Sequence, residues 1–487
     1  MAMKKFLLLL VPIALFAQVQ VDTVIRLPHS PDPPPYGSFL TTAAYLPELN
    51  KLYVASQTGP YYVVDCSTYQ VVDSIWVEMY GPVRYSWNAR SRKLYGFSRG
   101  LIDSTLVIDA AADTIIRWLR VCFNMPSQVY LSDVDRLYKA AVETLYAFDG
   151  ATDSVVRRLT LGGLSTNASW DSAGQKLYVG QGDRMKLYVY DYIADSVLKV
   201  IDVSGVSAVQ PDALLFDNTC HKAYLAPVQG EPGPANVGIV DTERDTLVGV
   251  VPVRIWAGLY NSQIAVDERD DKVYLADIDP DYKPDTLWVV DCATDSVLKK
   301  IEYAQQGTGA RPICWVPWSN RLYLAINADG DSSYIKVLDC RTDSFIATRV
   351  LPNSWVIQDI QLDPVRQRIF VIGVDTNDIY VLRDTGYGIA EAKPAGPRSA
   401  SVLQVQTRPG GFDLLYSVAS PCRVDLSVYD LMGREVRRLV SDRQSAGQHS
   451  VVWNCLDLHG NRAAPGVYFI RLDTPGFSDV KKAVVTR

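Results

Sequence analysis

Paired carboxylates are the commonest chemistry-bearing pattern in this chain. Asp109/Asp113, Asp149/Asp153, Asp191/Asp195, Asp241/Asp245, Asp291/Asp295 and Asp339/Asp343 each set two acids four residues apart, and Asp65 has Tyr69 at the second position. Two neighbouring carboxylates can share a proton, act as acid and base, or hold a cation. A single pair would be a candidate site. Repetition through successive units argues for structure instead, because Asp side chains accept hydrogen bonds from their own turn backbone. Calcium is the next chemistry to weigh. Asp277, Asp279 and Asp281, and again Asn327, Asp329 and Asp331, place oxygen ligands at loop positions 1, 3 and 5. An EF-hand loop also needs Gly at position 6 and a carboxylate at 12. The first loop has Tyr282 and Trp288 there, the second Ser332 and Leu338. Both read as polar hairpin loops, and no metal is expected.

The elements that carry these acids repeat. Eight short strands recur around Tyr53, Tyr95, Tyr138, Tyr178, Tyr224, Tyr274, Tyr323 and Phe370, at steps of 40 to 50 residues. Each is preceded by an inner strand, such as Ser262 to Val266, and followed by two Asp-linked strands, such as Leu287 to Asp291 and Asp295 to Leu298. The segments alternate with period 2 and not 3.6, so the units are small sheets and not helical repeats. Four strands at this period make a propeller blade. The last unit stops at Arg383-Asp384 without a fourth strand, and Asp22 to Leu27 repeats the missing Asp-Thr-Val pattern. The expected fold is therefore all-β: an eight-bladed β-propeller, or a seven-bladed one if a divergent unit is not a full blade. The N-terminal strand closes it and removes its exposed edges.

The ends and the composition bound the setting. Met1 to Lys5 followed by apolar Phe6 to Ala17 has the form of a signal peptide over 1–17, too short to be a membrane span. Export is expected, to the cell surface or the exterior, with the periplasm as alternative. A net charge of −6 without a basic stripe gives no footprint for nucleic acid. The propeller occupies 18–384, and a Gly/Pro/Ala-rich linker follows over 385–399. Residues 400–487 read as a small immunoglobulin-like sandwich with strands over 413–418, 424–429, 435–439, 449–453, 466–472 and 481–486. Cys66, Cys292 and Cys340 hold equivalent places on different blades, too far apart to bridge. Cys422 and Cys455 share the terminal domain, and whether they pair stays open.

Two resemblances follow from these residues. Lys51-Leu52-Tyr53-Val54, Lys176-Leu177-Tyr178-Val179 and the Val-Val-Asp…Asp-Ser-Val strands resemble the YVTN family of β-propeller repeats over roughly 22–384. That likeness implies a surface-layer, adhesive or cofactor-bearing scaffold and no particular reaction. Val428-Tyr429-Asp430, Gly433-Arg434-Glu435-Val436, Gly447-Gln448-His449, Trp453-Asn454 and Pro465-Gly466-Val467-Tyr468-Phe469 resemble the C-terminal sorting domain of type IX secretion cargo. That class is similar to the immunoglobulin-like domain of flagellar hook-capping proteins. It implies outer-membrane secretion machinery as a partner, with the domain often removed at the surface.

Catalysis is not expected. Acid–base work near neutral pH usually recruits His. His29, His221, His449 and His459 are the four present, and none falls where a base at a propeller mouth would sit. Nucleophile-elbow and zinc-helix motifs are missing, and no cofactor is expected. The rival reading is a secreted or periplasmic propeller enzyme, lactonase-like or cofactor-dependent. Recognition is assigned to the face whose loops vary most, because variable loops on a rigid scaffold carry binding. Its aromatic and Arg anchors are Tyr80, Arg84, Trp256, Tyr260, Tyr303, Arg311 and Trp355, and the expected partner is a protein or glycan ligand.

Overall fold

The structure is a computed structural model. It describes residues 19–384 except 29–39, 57–58, 78–81, 99–103, 121–127, 142, 164, 182–183, 207–210, 228–234, 256–262, 278–284, 305–309, 328–331, 353–355 and 374–376. It also describes 403–485 except 409, 419–421, 430–434, 446, 458–460, 464–465 and 475–476. The proposed leader over 1–17 and the linker over 385–399 lie outside the described residues. Two compact units are present, the larger ending at Gly388 and the smaller covering Ile389–Arg487.

Among the described residues, the larger unit holds eight four-stranded antiparallel sheets. Blade 1 spans Leu40–Ile75, blade 2 Pro82–Leu119, blade 3 Gln128–Thr160 and blade 4 Ser165–Asp202. Blade 5 spans Pro211–Ile255, blade 6 Ile264–Ala304, blade 7 Ala310–Pro352 and blade 8 Ile357–Asp384. The innermost strand of each blade touches those of its two neighbours in cyclic order, and blade 8 returns to blade 1. Blade 8 takes its fourth strand from Val19–Arg26, which pairs antiparallel with Asp378–Asp384 from Val19↔Asp384 to Arg26↔Asp378. The expected closure is observed.

Why the hairpins turn where they do is visible in the backbone. The residue before each aromatic strand has positive φ: Asn50, Arg92, Asp135, Gln175, His221, Asp271, Asn320 and Gln367. So does the residue opening the outermost strand region: Tyr69, Asp113, Asp153, Asp195, Asp245, Asp295 and Asp343. A left-handed residue after a tight turn suits the twist of a hairpin, and Asp and Asn tolerate it better than other non-glycine types. All eight repeat aromatics are buried between blades. Each contributes on the order of 1.5–3 kcal/mol of apolar burial.

The smaller unit packs a three-stranded sheet (Leu403–Arg408, Gly411–Val418, Gly447–Trp453) and a four-stranded sheet (Glu435–Gln444, Cys422–Tyr429, Gly466–Thr474, Phe477–Val485). They share one core. Trp453 is fully buried there, stacked on Phe412 at 5.6 Å and edge-on to Tyr468 at 5.3 Å. The strand Leu403–Arg408 was not expected, because its two apolar residues are too few to show a pattern. Cys422 and Cys455 are both free thiols.

Candidate functional site: blade clasps and the loop face

The Asp pairs divide into two roles. The first member of each pair caps its own turn, as expected. Asp149 Oδ1 accepts from the Thr152 amide at 2.8 Å, the Thr152 hydroxyl at 2.8 Å and the Ala151 amide at 3.2 Å. Those bonds hold its carboxyl below the usual range, the Thr152 amide foremost. The second member does something the turn argument did not foresee. Asp113, Asp153, Asp245 and Asp343 accept a Lys and a Tyr from the preceding blade and Asp295 a Lys, whereas Asp195 takes Arg157 of the preceding blade and Tyr190 of its own.

Lys93 Nζ lies 2.9 Å from Asp153, and the Tyr95 hydroxyl donates to Asp153 Oδ1 at 2.9 Å. Lys176 and Tyr178 meet Asp245 at 2.8 and 2.6 Å, and Lys272 and Tyr274 meet Asp343 at 2.8 Å each. Lys51 and Tyr53 hold Asp113, and Lys222 holds Asp295 at 2.7 Å. Each of these lysines also donates to a backbone carbonyl of the next blade: Ala110, Ala151, Thr242, Cys292 or Cys340. Blade 7 uses Arg321 and Tyr323 on Asp384, with Arg321 and Asp384 fully buried. Burial, then the facing carboxylate, pushes the hydroxyls of Tyr53 and Tyr95 well above the ordinary value.

The interface from blade 8 to blade 1 lacks the clasp on both sides. Tyr69 stands in the Asp position, and its opposite aromatic is Phe370, which has no hydroxyl. Arg368 turns instead to Asp22 of the closing strand at 2.8 Å, and Arg383 joins it. Acceptor and donor disappear together, as a paired device requires.

The loop face is less fully described. Tyr80, Trp256, Tyr260 and Trp355 lie outside the described residues, as do Asp279, Asp281, Asp329 and Asp331. Arg311 is in the strand Ala310–Val316, but its side chain is not described. Tyr303 is a correction. It is 1 % exposed, packs in the core between blades 6 and 7, and donates its hydroxyl to the Asp277 carbonyl at 2.9 Å. The variable loop that begins at Tyr303 suggests a surface anchor, and burial makes it a core plug. Asn327 is occupied as well, its Oδ1 accepting from the Ile357 amide at 2.9 Å. That bond explains its polarity without calcium.

Arg84 is half-buried on the innermost strand of blade 2, opposite Phe97. The Phe97 ring carries the Lys139 ammonium at 4.0 Å. Lys139 is fully buried and donates to Thr105 Oγ1 at 2.7 Å, and Thr105 donates to Gln128 Oε1 at 3.0 Å. Gln128 Nε2 passes the chain to the Tyr95 carbonyl at 2.8 Å. Two cations thus stand where strands of blades 2 and 3 run out toward the loop face. The sequence carried a signal for Lys139. The residue after the repeat aromatic is Val, Gly or Leu in every other unit.

A second polar group joins blades 8 and 1. The Asp359 carboxylate accepts from the Thr42 hydroxyl at 3.0 Å, the Ala43 amide at 2.9 Å and Gln361 Nε2 at 3.0 Å. Burial raises its pKa against those bonds, and burial followed by Asp359 pushes the Cys314 thiol up to about 12. With three donors in place, Asp359 works as a blade staple.

Against known proteins, the larger unit resembles BamB from Moraxella catarrhalis, with a TM-score of 0.55 and 11% identity over 75% of this chain and 100% of that one. It resembles equally the dihydro-heme d1 dehydrogenase NirN in complex with DHE, at 0.55 and 11% over 66% and 68%. The larger unit is a β-propeller. At that identity the likeness carries fold and no chemistry. Residues 400–474 match the FlgD Ig-like domain family, so the terminal sandwich is Ig-like as expected. No curated protein matches the chain. Among the described residues, no helix is long and apolar enough to cross a membrane.

Proposed function

We propose that this chain is an exported, non-catalytic binding scaffold. Its propeller displays a variable loop face to a protein or glycan ligand, and its Ig-like domain serves secretion sorting or surface anchoring. The observation that carries the reading is the fate of the repeated carboxylates. They cap turns or clasp blades, so the groups best suited to chemistry by number are committed to holding the ring. The leader-like start and the FlgD-type domain support an envelope or exterior setting. The YVTN-like repeat supports an adhesive or surface role.

Binding of the full chain to glycan arrays and to isolated envelope fractions tests this reading, with Arg84→Ala, Trp256→Ala, Tyr260→Ala, Arg311→Ala and Trp355→Ala as loop-face variants. Loss of a saturable interaction in at least one variant, with unchanged melting, is expected. Binding that survives all five substitutions removes this face from the account. Purification with a stoichiometric chromophore would favour the enzyme reading.

A further inference from the structure

One more contact recurs from blade to blade. The last residue of an innermost strand faces, in the next blade, the positive-φ residue before the aromatic strand. At the blade 2–blade 3 interface these are Asn88 and Asp135. Asn88 Nδ2 donates to Asp135 Oδ1 at 3.3 Å and to the Gly150 carbonyl at 3.2 Å. The equivalent places in the repeat hold Asp171 and His221, Asp267 and Asn320, and Asp363 and Asn50. In each of these pairs the counterpart of the acid is a side chain that can donate.

The blade 5–blade 6 interface departs from this. Asp217 there meets Asp271, so carboxylate faces carboxylate. Asp217 is 1 % exposed. Its Oδ1 accepts from the Thr219 and Cys220 amides at 2.9 and 3.0 Å. Its Oδ2 is buried and has no hydrogen-bond partner. A carboxylate oxygen of Asp217, Cys220 Sγ and a carboxylate oxygen of Asp271 all lie within 4.8 Å of one another. Cys292 occupies the place that Gly150 fills in blade 3, with its amide on the Asp271 carbonyl at 2.9 Å. Lys222 does not relieve the crowding, because its ammonium is committed to the Cys292 carbonyl and Asp295.

A buried carboxylate oxygen without a donor is costly, and a second acid beside it adds repulsion. A divalent cation answers both. Two carboxylate oxygens and one thiolate sulfur supply three corners of a tetrahedral set for a borderline-soft ion, with solvent for the fourth and with metal–sulfur distances of about 2.3 Å and metal–oxygen distances of about 2.0–2.2 Å. Calcium and magnesium prefer all-oxygen sets. We propose that Asp217, Cys220 and Asp271 form a zinc-class cation site that ties blade 5 to blade 6. Binding releases the Cys220 thiol proton to solvent, so apparent affinity rises with pH.

The test is Zn²⁺ titration of the full chain, reduced and then freed of reductant, by calorimetry and thermal melting. One equivalent should bind and raise the melting temperature. Asp217→Asn recreates the amide–carboxylate pairing of Asn88 and Asp135. It should keep or raise the metal-free melting temperature while weakening Zn²⁺ binding more than about 100-fold, beyond the roughly 10–100-fold typical of changes that only orient a ligand. Cys220→Ser should also lose binding, and Cys340→Ser should keep it. The proposal is overturned by the absence of a saturable one-to-one isotherm, or by unchanged binding in Asp217→Asn. A Cys220–Cys292 disulfide in peptide maps of the native protein would overturn it equally.

Discussion

The substitution Asp153→Asn removes one carboxylate from the clasp between blades 2 and 3 while keeping a side chain that tolerates φ 58°. Lys93 and Asp153 have side-chain exposures of 11% and 2%, so this is close to a buried pair. Removing one partner of a buried pair costs about 3–5 kcal/mol. Lys93 keeps the Ala151 carbonyl at 2.6 Å, and the Asn oxygen can still accept from Tyr95, so the loss falls at or below the lower end. We expect a loss of about 2–3 kcal/mol. A ring of roughly 350 residues at about 2.1 cal/mol/K per residue unfolds with about 0.7 kcal/mol/K of entropy, so its melting temperature should fall by about 3–4 °C. Scanning calorimetry reads that shift. The triple variant Lys93→Met/Tyr95→Phe/Asp153→Asn removes the donors as well, much as Phe370 and Tyr69 do at the blade 8–blade 1 interface. It should recover to within about 1.5 kcal/mol of wild type, because apolar replacement of a buried pair is often near neutral. A single variant that melts with wild type, or a triple that is additive in its losses, would refute the clasp as a coupled buried device.

The clasp tyrosines are held neutral by burial first, followed for Tyr53 and Tyr178 by the facing acid and for Tyr274 by Cys340 and then Asp343. The unfolded chain releases these protons near pH 10 and the folded ring does not, so stability should fall as pH rises above about 10. Urea midpoints between pH 8 and 11 check this. At the acid end, the capping carboxyl of Asp149 is depressed, so its contribution should vanish as pH falls below about 4. Installing the missing clasp with Tyr69→Asp and Phe370→Tyr should raise stability by about 0.5–1 kcal/mol, since Asp suits the left-handed site better than Tyr. A lower melting temperature for the double than for both singles would count against it. Asp22→Ala removes the acceptor shared by Arg368 and Arg383. It should loosen the closing strand first, visible as faster amide exchange in Val19–Arg26 than in blades 2 to 7.

Much of the ring is legible in the sequence because it is written in local pattern. Period-2 alternation, the repeat aromatic and the Asp-opened strand each lie within a dozen residues. The copy of that strand at Asp22 betrays the closure. Partners that lie far apart in the chain were not legible. Asp153 looks like a turn residue until Tyr95, 58 positions earlier, is seen to donate to it. Tyr303 carries no mark that separates a core plug from a surface anchor. Asp217 and Asp271 look like ordinary turn acids, and only the register between two blades sets them face to face. Lys139 could have been found, because it interrupts an otherwise apolar or small position. The short strand at Leu403 offers too little apolar pattern to declare itself.

The central claim is that the propeller is exported and the Ig-like domain serves its delivery. The most direct test is to fractionate native cells and determine both termini of the mature protein by mass spectrometry. The account predicts a surface-associated or released species that lacks residues 1–17 and either ends within 385–402 or is anchored through the terminal domain. A chain beginning at Met1 and confined to the cytoplasm would contradict it.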